Sequence, residues 1–292
     1  MQTPSAATFS YEYHYVNGLM LHVGHLGPAG GEIIVLLHGF PEFSQSWMAQ
    51  ADFFANKGYH VIVPDQRGYN LSPKPAQIKN YGLPYLAGDI AALITSLTTE
   101  PVIVAGHDWG GGVAWALAQF HPELIKKLIV LNMPHLQVMR ENLRTNPKQM
   151  LRSLYAVFFQ LPFIPEQVCS AFNFKSLEMS MVQSARAGTF TPEYLRACKQ
   201  AWRQPNALPS MINWYRAFFR SKIDHDVNIK VPVLLLWGTK DLFLSEKMAG
   251  QSIKRCPNGQ LITIENASHW LHHEEPDLVN QHIDTFLNKT LN

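Results

Sequence analysis

The sequence predicts an α/β protein with a mostly parallel sheet, helices on both faces of that sheet, and an inserted helical cap. Short and almost wholly apolar runs are typical of parallel strands that are covered on both faces. Helical patterns fall between these runs, and one long stretch contains helical patterns alone. The apolar runs cover residues 33–37, 59–63, 102–105, 128–131, 231–237 and 261–264.

The chain opens with two alternating segments, residues 9–16 and 19–26, on either side of Asn17-Gly18. Asn-Gly between such segments predicts a β-hairpin with a tight two-residue turn. The apolar strands then alternate with helices, which we expect over 85–97, 110–120 and 276–287. This alternation predicts a doubly covered, mostly parallel sheet.

The alternation stops at residue 134 and resumes at about residue 228. The intervening stretch predicts helices over 148–160, 191–202 and 209–222. Thr191-Pro192-Glu193 supports the second of these helices with a capping residue, a proline at the first helical position and an early acid. We therefore expect residues 1–134 and 228–292 to form the α/β core and residues 135–227 to form a helical cap.

The composition indicates in which compartment the protein works and which classes of partner it lacks. A formal net charge of +2 gives no electrostatic reason to bind nucleic acid or an acidic surface. No apolar run approaches membrane-spanning length, and the polar start lacks a secretory pattern. The three cysteines are scattered and odd in number, which favours a reducing compartment. We expect a cytoplasmic protein, either a monomer or a homodimer.

The most informative segment is Gly-His-Asp-Trp-Gly-Gly at residues 106–111. It follows an apolar run and precedes good helix formers, which is the strand–turn–helix context of a nucleophile elbow. Asp108 occupies the position usually taken by serine. A carboxylate is ionised at neutral pH, so it can attack a carbon atom without a base and form an ester on the enzyme. Taken alone, Asp108 could instead be a helix N-cap.

Cleaving such an ester requires a base, a partner that orients the base, and donors for an oxyanion. Asp241 follows the strand predicted at 231–237, and His269 follows the strand predicted at 261–264. Asp241 could also be a turn residue, and His272 and His273 compete with His269. These three histidines resemble a metal cluster, but no accompanying ligand pattern occurs elsewhere, so we expect no metal and no cofactor.

The oxyanion donors should be backbone N–H groups. One belongs to Trp109, directly after the nucleophile, and the other to Phe40 in the loop that follows the strand at 33–37. Whether the Phe40–Pro41 bond is cis stays open, because either isomer is compatible with the sequence.

Five motifs extend this pattern along the chain: His-Gly-Phe-Pro-Glu at 38–42, Asp-Gln-Arg-Gly-Tyr at 65–69, the elbow at 106–111, Ser-Leu-Tyr-Ala-Val-Phe-Phe-Gln at 153–160, and Asn-Trp-Tyr-Arg at 213–216. With them the sequence resembles, over essentially its whole length, the soluble epoxide hydrolases of the α/β-hydrolase fold.

The resemblance implies hydrolysis of an apolar epoxide by water to a vicinal diol, through an ester on Asp108. It also implies that Tyr155 and Tyr215 hydrogen-bond to the epoxide oxygen, with Phe40 and Trp109 beside the substrate. From the residues alone, both tyrosines could simply pack beneath the cap, and Tyr85 and Tyr194 would be equal candidates.

The main alternative is a haloalkane dehalogenase that uses the same Asp–His–Asp triad, because that family also places tryptophan after the nucleophile. It usually has asparagine where this chain has Phe40, and it has no use for paired tyrosines. A fluoroacetate-type dehalogenase needs arginines near the nucleophile, and residues 109–120 contain none. A serine esterase is excluded, since Gly-x-Ser-x-Gly does not occur. A binding protein without activity would be expected to lack part of the triad.

Overall fold

The structure, a computed structural model, describes residues 8–220 and 228–289. Within them one eight-stranded sheet has the order β1-β2-β4-β3-β5-β6-β7-β8. In this order, every neighbouring pair from β4 onwards is parallel. Strand β1 pairs antiparallel with β2, and β2 pairs antiparallel with β4. The strands are β1 Ser10–Val16, β2 Leu19–Leu26, β3 Ile33–Leu37, β4 His60–Pro64, β5 Val102–His107, β6 Ile125–Leu131, β7 Val233–Gly238 and β8 Gly259–Ile264.

Helices cover both faces of this sheet. In chain order they are α1 Met48–Asn56, α2 Leu83–Leu97, α3 Trp109–Phe120, α4 Leu136–Thr145, α5 Pro147–Arg152, α6 Leu154–Phe158, α7 Ile164–Ser184, α8 Pro192–Trp202, α9 Ala207–Arg220, α10 Lys247–Ile253, α11 Leu271–Glu274 and α12 Pro276–Asn288.

The two faces of the sheet bury two separate apolar clusters. Val35 and Leu37 of β3 pack in one cluster with residues of α2 and α3. Ile34 and Leu36, which alternate with them, pack in the other with residues of α1 and α12. Successive side chains of a strand point to opposite faces, so burial on both sides requires continuous apolarity. This arrangement confirms the fold class predicted from the sequence.

The predicted hairpin forms as expected. Asn17 and Gly18 both have positive φ, 50° and 77°, as a tight turn of the mirror-image type requires. Val16 pairs with Leu19, so the turn contains two residues.

Helices α4 to α9 lie between β6 and β7, in the stretch expected to form the cap. The helix predicted over 148–160 is interrupted at Ser153, whose φ and ψ of −96° and 9° separate α5 from α6. The helix predicted over 209–222 is described as far as Arg220. Its predicted end at residue 222 and the predicted cap boundary at residue 227 both lie outside the described residues.

None of the helices within residues 8–220 and 228–289 is long and apolar enough to cross a membrane.

Candidate active site

The backbone around Asp108 forms a sharp turn between β5 and α3. Asp108 has φ 49° and ψ −123°, which few residues other than glycine adopt. The flanking glycines are required by close backbone approach. A Cβ on Gly106 would lie 2.4 Å from the Gly110 carbonyl oxygen, and a Cβ on Gly110 would lie 2.1 Å from the Leu37 oxygen. The small residues of the motif therefore allow the turn that carries Asp108 above the sheet.

The loop after β3 closes over the Asp108 carboxylate. The Phe40 N–H donates a 2.9 Å hydrogen bond to Oδ1 of Asp108. A Cβ on Gly39 would lie 2.5 Å from the Asp108 Cβ, so only glycine fits there. Trp109 is the first residue of α3, where backbone N–H groups have no acceptor within the helix. The Phe40–Pro41 peptide is cis.

His269 lies between two carboxylates. Its Nε2 is 3.4 Å from Oδ2 of Asp108, and its Nδ1 is 2.8 Å from Oδ2 of Asp241. The other Asp241 oxygen accepts hydrogen bonds from the backbone N–H groups of Phe243 and Leu244. The structure thus brings together the three side chains proposed from the sequence as nucleophile, base and orienting acid.

Burial and neighbouring charges have opposite effects on the pKa values of His269 and Asp241. Burial opposes the imidazolium form of His269, but the charge of Asp241 and hydrogen bonds to Asp108 and Asp241 outweigh it and raise the pKa of His269 to about 10. Burial likewise opposes ionisation of Asp241. The charge of His269 and hydrogen bonds from His269 and Asn132 prevail, so the pKa of Asp241 is lowered. The raised pKa of His269 favours its imidazolium form, which lies between the carboxyl groups of Asp108 and Asp241.

Sequence reasoning missed Asn132, which lies directly after β6. Its side-chain N–H group donates a 2.5 Å hydrogen bond to Asp241 Oδ2, and its oxygen accepts the Gly238 N–H at 2.8 Å. Asn132 thus links the end of β7 to the acid that orients His269. The available signal was its position, a polar residue immediately after a buried parallel strand.

The tyrosines on α6 and α9 face Asp108 across a cavity of about 230 Å³. The rings of Tyr155 and Tyr215 pack edge to face with their centroids 5.8 Å apart. Burial, reinforced by the negative charge of Asp108, raises the pKa of both phenols. Both therefore keep their protons at neutral pH and are neutral hydrogen-bond donors.

The competing tyrosines lie elsewhere. Tyr85 is an exposed residue of α2, and the Tyr194 hydroxyl donates to Oε1 of Glu42 at 2.6 Å. The indole ring of Trp109 packs edge to face against the ring of Tyr215, with the centroids 5.0 Å apart.

His272 and His273 do not approach Asp108. Both lie beside the buried carboxylate of Glu42, with His273 Nε2 2.7 Å from Oε1 and His272 Nε2 3.6 Å from Oε2. His269 is not part of this group, contrary to the trio considered from the sequence. Within the described residues, two sets of side chains have donor atoms close enough together for a metal ion: Glu42, His272 and His273, and Glu12, His14 and His25.

Comparison with known proteins gives the family of the chain. Residues 32–276 match the family model of the α/β hydrolase fold. The chain belongs to this family and, within it, to the epoxide hydrolases, as the sequence motifs predict.

Three relatives illustrate the similarity. Human epoxide hydrolase 4 is 38% identical over 98% of this chain and 81% of its own length. The Bacillus subtilis AB hydrolase superfamily protein YfhM is 46% identical over 93% of this chain and 95% of its own. The crystal structure of a Bacillus megaterium epoxide hydrolase with an inhibitor superposes with a TM-score of 0.87 at 32% identity. The superposition covers 95% of this chain and all of the Bacillus megaterium chain.

Proposed function

We propose that this protein hydrolyses apolar epoxides to vicinal diols through a covalent ester on Asp108. The observation that carries the proposal is the position of the Asp108 carboxylate. One oxygen accepts the Phe40 N–H, and the other lies 3.4 Å from His269 at a cavity lined by two neutral phenols. The curated relatives named epoxide hydrolases support the same reaction class.

In the first step Oδ2 of Asp108 attacks a ring carbon of the epoxide. The carbon–oxygen bond of the ring breaks, and its electron pair stays on the departing oxygen. Tyr155 and Tyr215 donate hydrogen bonds to that oxygen, and one of them transfers its proton to it. The attacking oxygen is Oδ2 because Oδ1 is held by the Phe40 N–H, so Oδ1 becomes the carbonyl oxygen of the ester.

Before the second step the His269 imidazolium gives its proton to the deprotonated tyrosine, which restores the phenol and leaves His269 neutral. Water then attacks the ester carbon Cγ of Asp108, while His269 takes a proton from this water. Negative charge develops on Oδ1, where the N–H groups of Phe40 and Trp109 stabilise it; one such donor is typically worth about 3 kcal/mol. Collapse releases the alkoxide, which takes the proton from His269. The remaining proton of the water, now on the carboxyl group, passes to His269 and restores the imidazolium.

Esterification itself prepares His269 to act as a base. The charge of Asp108 contributes to the raised pKa of His269. A neutral ester removes this contribution, so the pKa of His269 falls when a base is needed. Asp241 remains in place and fixes the orientation and tautomer of the ring.

In this proposal residues 135–227 form the cap that carries both tyrosines. Trp214 of α9 donates to the Arg67 carbonyl oxygen at 3.0 Å, and Trp202 of α8 donates to the Pro41 carbonyl oxygen at 2.5 Å. These bonds attach the cap to the loops of the core. The chemistry uses side chains and water alone, and an enclosed apolar site excludes competing solvent.

The proposal is tested by replacing His269 with glutamine and mixing the variant with styrene oxide. Ring opening does not need His269 as a base, so the ester should accumulate. Intact-protein mass spectrometry should then show the protein plus one substrate, and peptide mapping should locate the adduct on Asp108.

An Asp108→Asn variant is the matched control and should give no adduct. If the His269→Gln variant consumes styrene oxide without an adduct, the covalent scheme is wrong. If wild-type protein releases no diol from any epoxide offered, the proposed reaction class is wrong.

A further inference from the structure

Asp108 lies at the junction of two cavities of unequal size. The larger, of about 230 Å³, extends beneath α7. A second cavity of about 30 Å³ lies on the side of α4 and α9. Asp108, Tyr155 and Tyr215 line both. A substrate held by the tyrosines and facing Asp108 therefore directs its substituents into two spaces of different volume.

The walls of the small cavity explain its size. Met139 and Leu143 project from α4, and Phe218 projects from α9. The ring of Phe218 packs edge-on against Trp109, with the centroids 5.5 Å apart, and the Arg140 guanidinium lies over the Phe218 ring, 5.2 Å from its centroid. These contacts fix Phe218 in place. The small cavity is therefore bounded by packed side chains on two helices.

The two volumes admit different groups. An apolar cavity of about 150 Å³ holds a benzene molecule, and one water occupies about 30 Å³ of liquid. The larger space therefore admits an aryl group or a branched alkyl chain. The smaller space admits a hydrogen atom or a methyl group and excludes a phenyl ring.

Resting on the proposed function, we infer that the small cavity is a selectivity subsite that restricts the substrate to epoxides with one large apolar substituent. The other carbon of the epoxide ring must then carry a hydrogen atom or a methyl group. Met139, Leu143 and Phe218 set this limit, and an epoxide with two bulky groups on opposite ring carbons is excluded because one of them must occupy the small cavity.

A graded series of three epoxides tests the inference: styrene oxide, trans-β-methylstyrene oxide and trans-stilbene oxide. They share one phenyl group and differ in the second substituent, which is hydrogen, methyl or phenyl. We expect similar kcat/KM for the first two compounds. For trans-stilbene oxide we expect a loss of about 100-fold or more, since even one misfitting methylene changes kcat/KM by about 10-fold to 200-fold.

Leu143→Ala enlarges the small cavity, and alanine keeps a good helix former at this position. It should reduce the discrimination between styrene oxide and trans-stilbene oxide by about tenfold. Val168→Ala is the matched control, since Val168 lies in the wall of the large cavity, and it should leave the ratio unchanged. Met139→Ala is a second probe of the small cavity, and an unchanged far-ultraviolet circular dichroism spectrum verifies folding in each variant.

Equal kcat/KM for all three epoxides in the wild-type protein would overturn the inference while leaving the proposed function intact. A ratio that shifts in Val168→Ala but not in Leu143→Ala or Met139→Ala would also overturn it. If no epoxide of the series yields a diol, the proposed function fails and the inference falls with it.

Discussion

Replacing Asp108 by asparagine gives a neutral side chain of the same shape, and so imitates the charge of the ester intermediate. The perturbation acts on His269, whose Nε2 lies 3.4 Å from Asp108 Oδ2. Asp241 is untouched and still accepts a hydrogen bond from Nδ1. The variant therefore isolates the effect of one charge on the pKa of the base.

The expected magnitude follows from the distance. Two unit charges 3.4 Å apart interact with about 5 kcal/mol at an effective dielectric constant of about 20. At about 1.36 kcal/mol per pKa unit, this corresponds to a shift of about 3 to 4 units. The pKa of His269, about 10 in the protein with both carboxylates, should fall to between about 6 and 7 in Asp108→Asn. Such a value suits a general base at neutral pH.

The measurement is a proton–carbon NMR titration of the imidazole Cε1–H groups from pH 5 to pH 11. The His269→Gln variant assigns the His269 resonance among those of the 13 histidines. Intact-protein mass spectrometry verifies that the introduced amide has not hydrolysed during the titration. The Asp241→Asn variant is a second reference, because the charge of Asp241 is the largest contribution that raises the pKa of His269.

A His269 pKa in Asp108→Asn within half a unit of the wild-type value would refute the reasoning. It would mean that ester formation does not convert His269 into a base. An increase would refute it as well, since removing an adjacent anion can only disfavour the imidazolium.

Two further predictions concern the elbow and the tyrosines. Gly110→Ala should lower the free energy of unfolding by about 3 kcal/mol, because the new Cβ meets the Leu37 carbonyl oxygen at 2.1 Å. Gly112→Ala should leave it unchanged or raise it, since the nearest atom is the flexible Met133 Cε at 3.2 Å. Urea unfolding compares the two, and equal stabilities would contradict the packing argument. Replacing both Tyr155 and Tyr215 by phenylalanine keeps the ring packing but removes both donors. Diol formation from styrene oxide should fall by about 1,000-fold, and a double variant within threefold of wild type would remove the tyrosines from the mechanism.

The parts of the fold that follow from local pattern were predictable. The apolar strands and the Asn17-Gly18 hairpin are specified by short segments, and the structure places them within a few residues of the predicted bounds. The sequence pattern does not predict helix α7. Residues from Ala171 to Phe174 interrupt it with non-helical φ and ψ, so no single periodic pattern runs through its 21 residues.

The triad residues could be proposed because each follows a strand, and the carboxyl ends of parallel strands meet at one edge of a sheet. Asn132 follows a strand too, but its role depends on a distance to Asp241 across neighbouring strands. The contact of Glu42 with His272 and His273 joins a loop to helix α11, more than 200 residues further along the chain. Such long-range contacts depend on the assembled packing of helices, which periodicity does not encode.

The hydrogen bond from Trp202 to the Pro41 carbonyl oxygen joins α8 to the residue that directly follows the Phe40 amide. In the proposed mechanism, the position of an oxyanion donor is therefore set partly by a residue of the expected cap. Chimeras that exchange residues 135–227 for those of another hydrolase would alter substrate fit and transition-state stabilisation together. An exchange designed to change substrate preference alone should retain an indole donor at position 202.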